Sequence, residues 1–135
     1  MNGGTLTWNT HCFRHEIGNT FRKFENTVDC LGGNTYVDYI FSPTYLEEIK
    51  IKNFSGTLTV TNRANLTSVR LFTPSENIGN LNFSGCNLSG DALNQLLTDL
   101  PSVPEPRTIN IRNNPGALAC DTSIATAKNW VVTVV

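Results

Sequence analysis

The spacing of apolar residues between positions 78 and 90 constrains the fold of this chain more than any other feature. In IGNLNFSGCNLSG, apolar side chains recur at offsets of 0, 3, 5, 8 and 10. This spacing matches neither an amphipathic helix nor a uniformly alternating strand. A short strand at 81–83, a corner at Ser84-Gly85 and a second inward contact at Cys86 and Leu88 explain it. Together these features make one coil of a solenoid.

The same spacing recurs along the chain. LEEIKIKNF (46–54) repeats it, and PRTINIRNN (106–114) repeats it with Asn114 at offset 8. GTLTVTN (56–62) and LTSVRL (66–71) repeat its strand part. It follows the leucine-rich repeat signature L-x-x-L-x-L-x-x-N/C-x-L. We predict that the inner pairs point into one core from adjacent parallel strands, and antiparallel strands or a split between two sheets would contradict the solenoid. The pairs are Ile49/Ile51, Leu58/Val60, Val69/Leu71, Leu81/Phe83 and Ile109/Ile111.

The C-terminal third predicts two helices and a final strand. Four leucines between 93 and 100 recur at i, i+3, i+4 and i+7, with Ser89 or Asp91 as the N-cap and Pro101 as the stop. A second helix is predicted near 122–128, capped by Asp121 or Thr122. WVVTVV (130–135) has strong β propensity. We expect these elements to cap the stack, with Trp130 packed on its last coil.

The stretches LTSVRL, LNFSGCNLS, ALNQLLTDLP and TINIRNNPGALACDTSIATAKNWVVTV resemble the C-terminal part of irregular leucine-rich-repeat-like proteins. Such proteins occur in Bacteroides- and Flavobacterium-type bacteria and in their phages. The resemblance covers residues 45–135. It implies a β-rich α/β solenoid of short parallel strands with one or two helices in a C-terminal cap. It also implies a surface or virion module for adhesion or structure, without enzymatic activity.

The domain organisation follows from length and composition. A chain of 135 residues can bury one sizeable core. Residues 45–135 form the solenoid and its cap, whereas residues 1–44 are predicted to be a β-rich N-terminal cap or docking segment. TLTW (5–8) is a candidate strand, and further strands are expected from about residue 27. Asn and Thr number 17 each and suit turns and exposed strand faces.

Charge and motifs exclude several functions. The net charge is −1 and no basic stripe is present, so we expect no nucleic-acid partner. No apolar run is long enough for a membrane span, and MNGGTLTWNTHC lacks the features of a signal peptide. Nucleophile and phosphate-loop motifs are absent, so we predict neither enzymatic activity nor a cofactor. Glu47, Glu48 and Asp99 are expected to be solvated charges.

The histidines and cysteines allow two further sites. His11, Cys12, His15 and Cys30 include zinc-ligand types, but paired Cys-x2-Cys spacing is missing, which favours surface histidines and a buried thiol. A disulfide framework is the minority alternative for the four scattered cysteines. Cys86 lies at an inward repeat position, where a free thiol behaves as a small hydrophobe.

The predicted function is a structural or adhesion module of a phage virion, in a fibre, tail or capsid decoration. The alternative is a cell-surface binding module of a bacterial secreted repeat protein. The expected partners are other protein subunits, or a cell-surface receptor or glycan. The polar residues between the inner pairs are predicted to form one outward binding face, and an apolar N-terminal group is predicted to dock. The first group is Lys50, Thr59, Arg70, Asn82 and Asn110, and the second is Phe13, Phe21 and Phe24.

Overall fold

The computed structural model describes residues 46–54 and 56–135 in full, and only the backbone of residues 5–10, 15–17, 23–28 and 39–41. Ten strands and two helices lie in this described part. The strands are β1 (Thr5–Thr10), β2 (His15–Ile17), β3 (Lys23–Val28), β4 (Tyr39–Phe41), β5 (Glu48–Lys52), β6 (Leu58–Thr59), β7 (Ser68–Phe72), β8 (Leu81–Asn82), β9 (Arg107–Asn110) and β10 (Trp130–Thr133). The helices are α1 (Gly90–Asp99) and α2 (Ser123–Thr126).

The strands form two parallel sheets. One contains β1-β3-β5-β7 and the other contains β10-β9-β8-β6-β4-β2, in those orders. All pairings are parallel. From β1 to β8, consecutive strands alternate between the two sheets, so the chain has an α/β fold with two parallel sheets and two helices. The prediction that the inner pairs lie on adjacent strands of one stack is therefore wrong.

The physical reason for the split lies in the length of the connections. The inner pairs of β5, β6 and β7 are only 9 and 11 residues apart. So short a segment carries the chain across the core to the opposite sheet and does not bring it back beside its own starting strand. The neighbour of Glu48 is Ser68, which lies 20 residues further along the chain, and Leu58 pairs with Leu81 in the same way.

The core contains every inner position that the sequence predicts. All ten of these side chains are buried, and they belong to one hydrophobic cluster. Leu46, Phe54, Leu66, Ile78 and Leu88 complete it from the connections between strands. The assignment of inward positions is thus confirmed, although the residues reach the core from two sheets. Alternation along each short strand decides which residue is buried, whichever sheet holds the strand.

Helix α1 agrees with the sequence prediction. The Ser89 hydroxyl accepts a hydrogen bond from the Ala92 N–H at 3.2 Å and so caps the helix. Leu93, Leu96 and Leu97 are buried beneath it. The helix packs against β7, the last strand of the four-stranded sheet. It therefore covers the edge of that sheet.

The second helix is shorter than predicted. It covers Ser123–Thr126, and the Asp121 carboxylate accepts a hydrogen bond from the Ser123 N–H at 3.1 Å. Asn129 has a φ of 74° and turns the chain from the helix into β10. Trp130 is buried as expected, and its indole N–H donates to the Pro101 carbonyl at 2.9 Å. The cap and the core are joined through this side chain.

The N-terminal strands belong to the same two sheets. β1 confirms the strand predicted at 5–8, and β3 begins at Lys23, before the predicted start near residue 27. β3 pairs with β5 and β4 pairs with β6, so the boundary suggested at residue 44 falls within both sheets.

Candidate functional site

The five residues of the predicted binding face occupy two separate columns. Lys50 and Arg70 are register partners in the four-stranded sheet, and we call them the basic column. Thr59, Asn82 and Asn110 occupy one register line in the six-stranded sheet, and we call them the amide column. The prediction of a single outward face is wrong, because neighbouring inner pairs alternate between the sheets.

The basic column is engaged in ion pairs. Lys50 Nζ lies 3.8 Å from a Glu48 carboxylate oxygen. Arg70 Nε lies 2.7 Å and Nη2 3.3 Å from the two carboxylate oxygens of Asp99, and its guanidinium lies 5.0 Å from the centre of the Phe72 ring. The hydrogen bond with Asp99 raises the pKa of Arg70 above its ordinary value. Arg70 thus holds α1 against the sheet, which leaves little of it for a ligand.

Asp99 is not the solvated charge that the sequence suggested. Its side chain is only 8% exposed, and one carboxylate oxygen accepts the Leu71 N–H at 3.1 Å. Gln95 Nε2 donates to the other oxygen at 3.1 Å. Because β7 is the last strand of its sheet, its outward N–H groups lack a strand partner. Asp99 satisfies one of them, a role that depends on a helix 28 residues away and leaves no local signal.

The amide column is the more accessible of the two. Thr59 is exposed, and Asn82 and Asn110 are half-buried. Each Asn side-chain oxygen accepts the N–H two residues further on, from Ser84 and from Arg112, both at 3.1 Å. These repeated turns fix both side chains and leave their NH2 groups without a hydrogen bond among the described residues. The column can therefore donate hydrogen bonds to carbonyl or hydroxyl oxygens of a partner.

Asn114 lies at offset 8 of its repeat, where the preceding repeat has Cys86, but its role exceeds what the sequence shows. Asn114 is 7% exposed and is the one polar residue that is buried as a whole in the described part of the chain. Its oxygen accepts the Leu88 N–H at 3.0 Å, and its nitrogen donates to the carbonyls of Phe83 and Ile111, both at 2.8 Å. It ties three backbone segments together. Asn87, the asparagine next to Cys86, is exposed.

Cys86 follows Phe83 by three residues, as Asn114 follows Ile111, and occupies the equivalent position. Its thiol donates to the Val60 carbonyl at 3.3 Å, as Asn114 donates to that of Phe83. Burial raises the pKa of the Cys86 thiol, and it also raises the pKa of Cys120. Both cysteines are free thiols. Their protonated state suits a structural role and not a nucleophilic one.

Lys128 is likewise used by the fold. Its ammonium donates to the carbonyls of Leu97, Thr98 and Leu100 at 3.0, 2.7 and 2.8 Å. These carbonyls lie at the end of α1, where the last turn leaves carbonyls without a helical partner, and the Leu97 carbonyl also accepts the Leu100 N–H at 3.4 Å. Burial lowers the pKa of Lys128, and the charge of Asp99 acts in the opposite direction. The second helix is thereby fixed to the end of the first.

Two predicted groups, the apolar docking group and the candidate zinc group, lie largely outside the described residues. Phe13 and Phe21 are among them, whereas the backbone of Phe24 is described in β3, in register with the core residue Ile49. The side chains of the candidate zinc group also lie outside. Among the described side chains, no three His, Cys, Asp or Glu residues are grouped as a metal site. Neither described helix has the length and apolarity that a membrane span requires.

No family model, curated protein or solved structure matches the chain. The resemblance to irregular leucine-rich-repeat-like proteins accordingly stays a prediction, and the function must be argued from the geometry of the chain itself.

Proposed function

We propose an irregular leucine-rich-repeat-like solenoid in place of the single stack that the sequence predicted. The two sheets are its two sides, the coils from β1 to β8 contribute one strand to each sheet, and the last two coils contribute β9 and β10 to the six-stranded sheet alone. The alternation of consecutive strands supports this arrangement. Successive register partners lie 20, 23 and 28 residues apart, from Glu48 to Ser68, Leu58 to Leu81 and Leu81 to Ile109. Leucine-rich repeats have periods of about 20–29 residues.

Duplicating one coil tests this proposal. A second copy of residues 48–67, inserted after residue 67, adds one strand to each sheet and keeps the alternation. A solenoid accepts such a unit, because its stability is close to a sum over neighbouring repeats. The matched control duplicates only residues 48–57 and sends every following strand to the wrong sheet. The first variant should unfold cooperatively and the second should not; two equally misfolded variants would contradict the solenoid.

On this scaffold we infer that the chain is a non-enzymatic structural or adhesion module acting through protein–protein contacts, within a virion fibre, tail or capsid decoration. The observation that carries this inference is the amide column. Thr59, Asn82 and Asn110 repeat in register on an uncharged stretch of strand face. Such an array suits hydrogen bonding to another polypeptide. The Arg70–Asp99 ion pair and the Lys128 ammonium, by contrast, already bond within the fold.

The second candidate, a cell-surface module that binds a glycan or receptor, is supported by the same donors, since NH2 groups also bond to sugar hydroxyls. Localisation separates the two. Antibody labelling of purified phage particles should place the chain on the particle if it is a virion component. Labelling confined to intact bacterial surfaces would favour the cell-surface module, and labelling of neither would contradict both.

The binding surface can be tested with variants that preserve the turns. Asn82→Asp and Asn110→Asp keep the oxygen that accepts the Ser84 or Arg112 N–H and remove only the amide donors. Binding to immobilised virion proteins should fall while the melting temperature changes little. The control pair, Asn77→Asp and Asn87→Asp, places the same charge on exposed residues elsewhere. Equal loss in both pairs would point to charge alone and remove the amide column as the site.

A further inference from the structure

The outward side of the six-stranded sheet carries a regular array of short side chains. On β6, β8, β9 and β10, the residues that alternate with the inward positions point away from the core. Two neighbouring register lines of these outward residues run across the four strands, and we call them together the polar array. The first line contains Thr57, Asn80, Thr108 and Val131, and the second contains Thr59, Asn82, Asn110 and Thr133.

The strand register spaces the polar array evenly. The pairings of these four strands are parallel and continue without an extra residue on either strand. Neighbouring strands lie about 4.7–4.9 Å apart, and every second residue along a strand lies about 6.6 Å further on. The asparagines are also held in place, because the Asn80 oxygen accepts the Thr108 N–H at 2.9 Å and those of Asn82 and Asn110 accept N–H groups of their own turns. Hydroxyl, amide and methyl groups therefore repeat in two directions.

The outward sides of the two sheets differ in charge. On β5 and β7, the outward residues include Glu48, Lys50, Lys52 and Arg70. The polar array contains no charged residue, and the next register line on its C-terminal side contains one, Arg112. Because charged surfaces select partners of opposite charge, an uncharged surface favours a neutral partner. The polar array can both donate and accept hydrogen bonds, through its threonine hydroxyls and asparagine amides.

A surface that repeats in two directions fits a partner that does the same. A single peptide or glycan chain repeats along one line only, and the polar array lacks the aromatic rings that suit a crystalline polysaccharide. Ice is uncharged, exposes donors and acceptors, and repeats in both directions of its surface. We propose that the polar array binds ice. Fixed polar groups can hold water at regular positions, so little further ordering is needed for that water to join the crystal. This inference does not rest on the proposed function, which needs only the donors of Asn82 and Asn110.

Thermal hysteresis, the gap between the melting and freezing temperatures of a single ice crystal, tests this proposal on the full chain. The natural chain should open a gap that grows with protein concentration and should change the shape of the crystal. Thr59→Lys with Thr108→Lys places two long charged side chains within the polar array and should remove most of the gap. The matched control, Thr67→Lys with Thr126→Lys, makes the same change at exposed threonines outside the array and should leave the gap unchanged.

A second disruption and a second measurement complete the test. Val131→Lys changes one residue of the polar array that is 54% exposed, and circular dichroism verifies that every variant is folded. During slow freezing, the fluorescently labelled natural chain and the control should enter the ice, whereas the array variants should stay in the liquid. A natural chain that gives no gap up to millimolar concentration overturns the proposal, and so does an equal loss in the array and control variants. Binding to immobilised virion proteins is measured separately, so the polypeptide contact can stand if ice binding fails.

Discussion

Replacing Asn114 by Ala should destabilise the protein strongly, because Asn114 is the one polar residue that is buried as a whole in the described part of the chain. The substitution removes three buried hydrogen bonds, at 2.8–3.0 Å, that join the segments around Phe83, Leu88 and Ile111. At about 1 kcal/mol for each bond, the expected loss in the free energy of unfolding is about 3 kcal/mol. Leaving the buried Leu88 N–H without a partner adds to this loss. Total stabilities are only about 5–15 kcal/mol, so the effect is large.

Urea denaturation followed by circular dichroism measures the loss directly. The midpoint should fall while the slope with denaturant stays the same, because the exposed surface hardly changes. Asn87→Ala is the matched control, since Asn87 is an exposed asparagine in the equivalent turn of the preceding coil. Its cost should stay within about 0.5 kcal/mol.

A third variant tests whether the two corners are equivalent. Asn114→Cys places the residue of the preceding coil at this site, where Cys86 Sγ donates to the Val60 carbonyl. It should restore the bond to Phe83 but not the bond from Leu88, and its cost should fall between those of the natural chain and Asn114→Ala. A loss below about 1 kcal/mol for Asn114→Ala, the value of one bond, would refute the view that this side chain links the coils.

Three further changes test the core, the corner packing and the thiol. Leu81→Ala should cost about 2–5 kcal/mol by denaturation, and a cost below about 0.5 kcal/mol would mean that the position is not core. Gly116→Ala should prevent the native fold from forming, because a Cβ there would overlap Gly90 N and the Ser89 carbonyl carbon. A cooperative thermal unfolding curve like that of the natural chain would show that the turn can move. Burial raises the pKa of the Cys86 thiol, so the unfolded chain loses this proton first, and stability should fall as pH rises above ~8.5. Cys86→Ala should reduce this loss of stability between neutral and alkaline pH. If the free energy of unfolding of the variant depends on pH as that of the natural chain does, the buried thiol is not its cause.

Much of the local structure is predictable from the sequence because it depends on neighbours along the chain. The side chains that alternate within each short strand show which residues are buried, and they were assigned correctly from Ile49 to Ile111. Ser89 caps α1 as expected, since its hydroxyl needs only the N–H three residues later. Both features depend on residues only a few positions apart, so the spacing in the sequence is enough to predict them.

Which strand belongs to which sheet was harder to predict from the sequence. A short inner pair looks the same whether its neighbour in space is the next strand or the one after it. Connection length distinguishes these cases, because about ten residues are enough to cross a core but too few to return beside the same strand. The recurrence from Glu48 to Ser68 could therefore have revealed the period of 20 residues. Asp99 had no such signal, because its partner Leu71 is brought close only by the packing of α1.

The polar residues that the structure singles out share one task. Asn114 satisfies groups at a corner, Lys128 satisfies the end of α1, and Asp99 satisfies an edge N–H of β7. Each places its polar atoms on backbone groups that regular structure leaves unpaired, which costs stability when such groups are buried without partners. In the described part, the side-chain NH2 groups of Asn82 and Asn110 are not used in this way, and the proposed contact with another polypeptide depends on these donors.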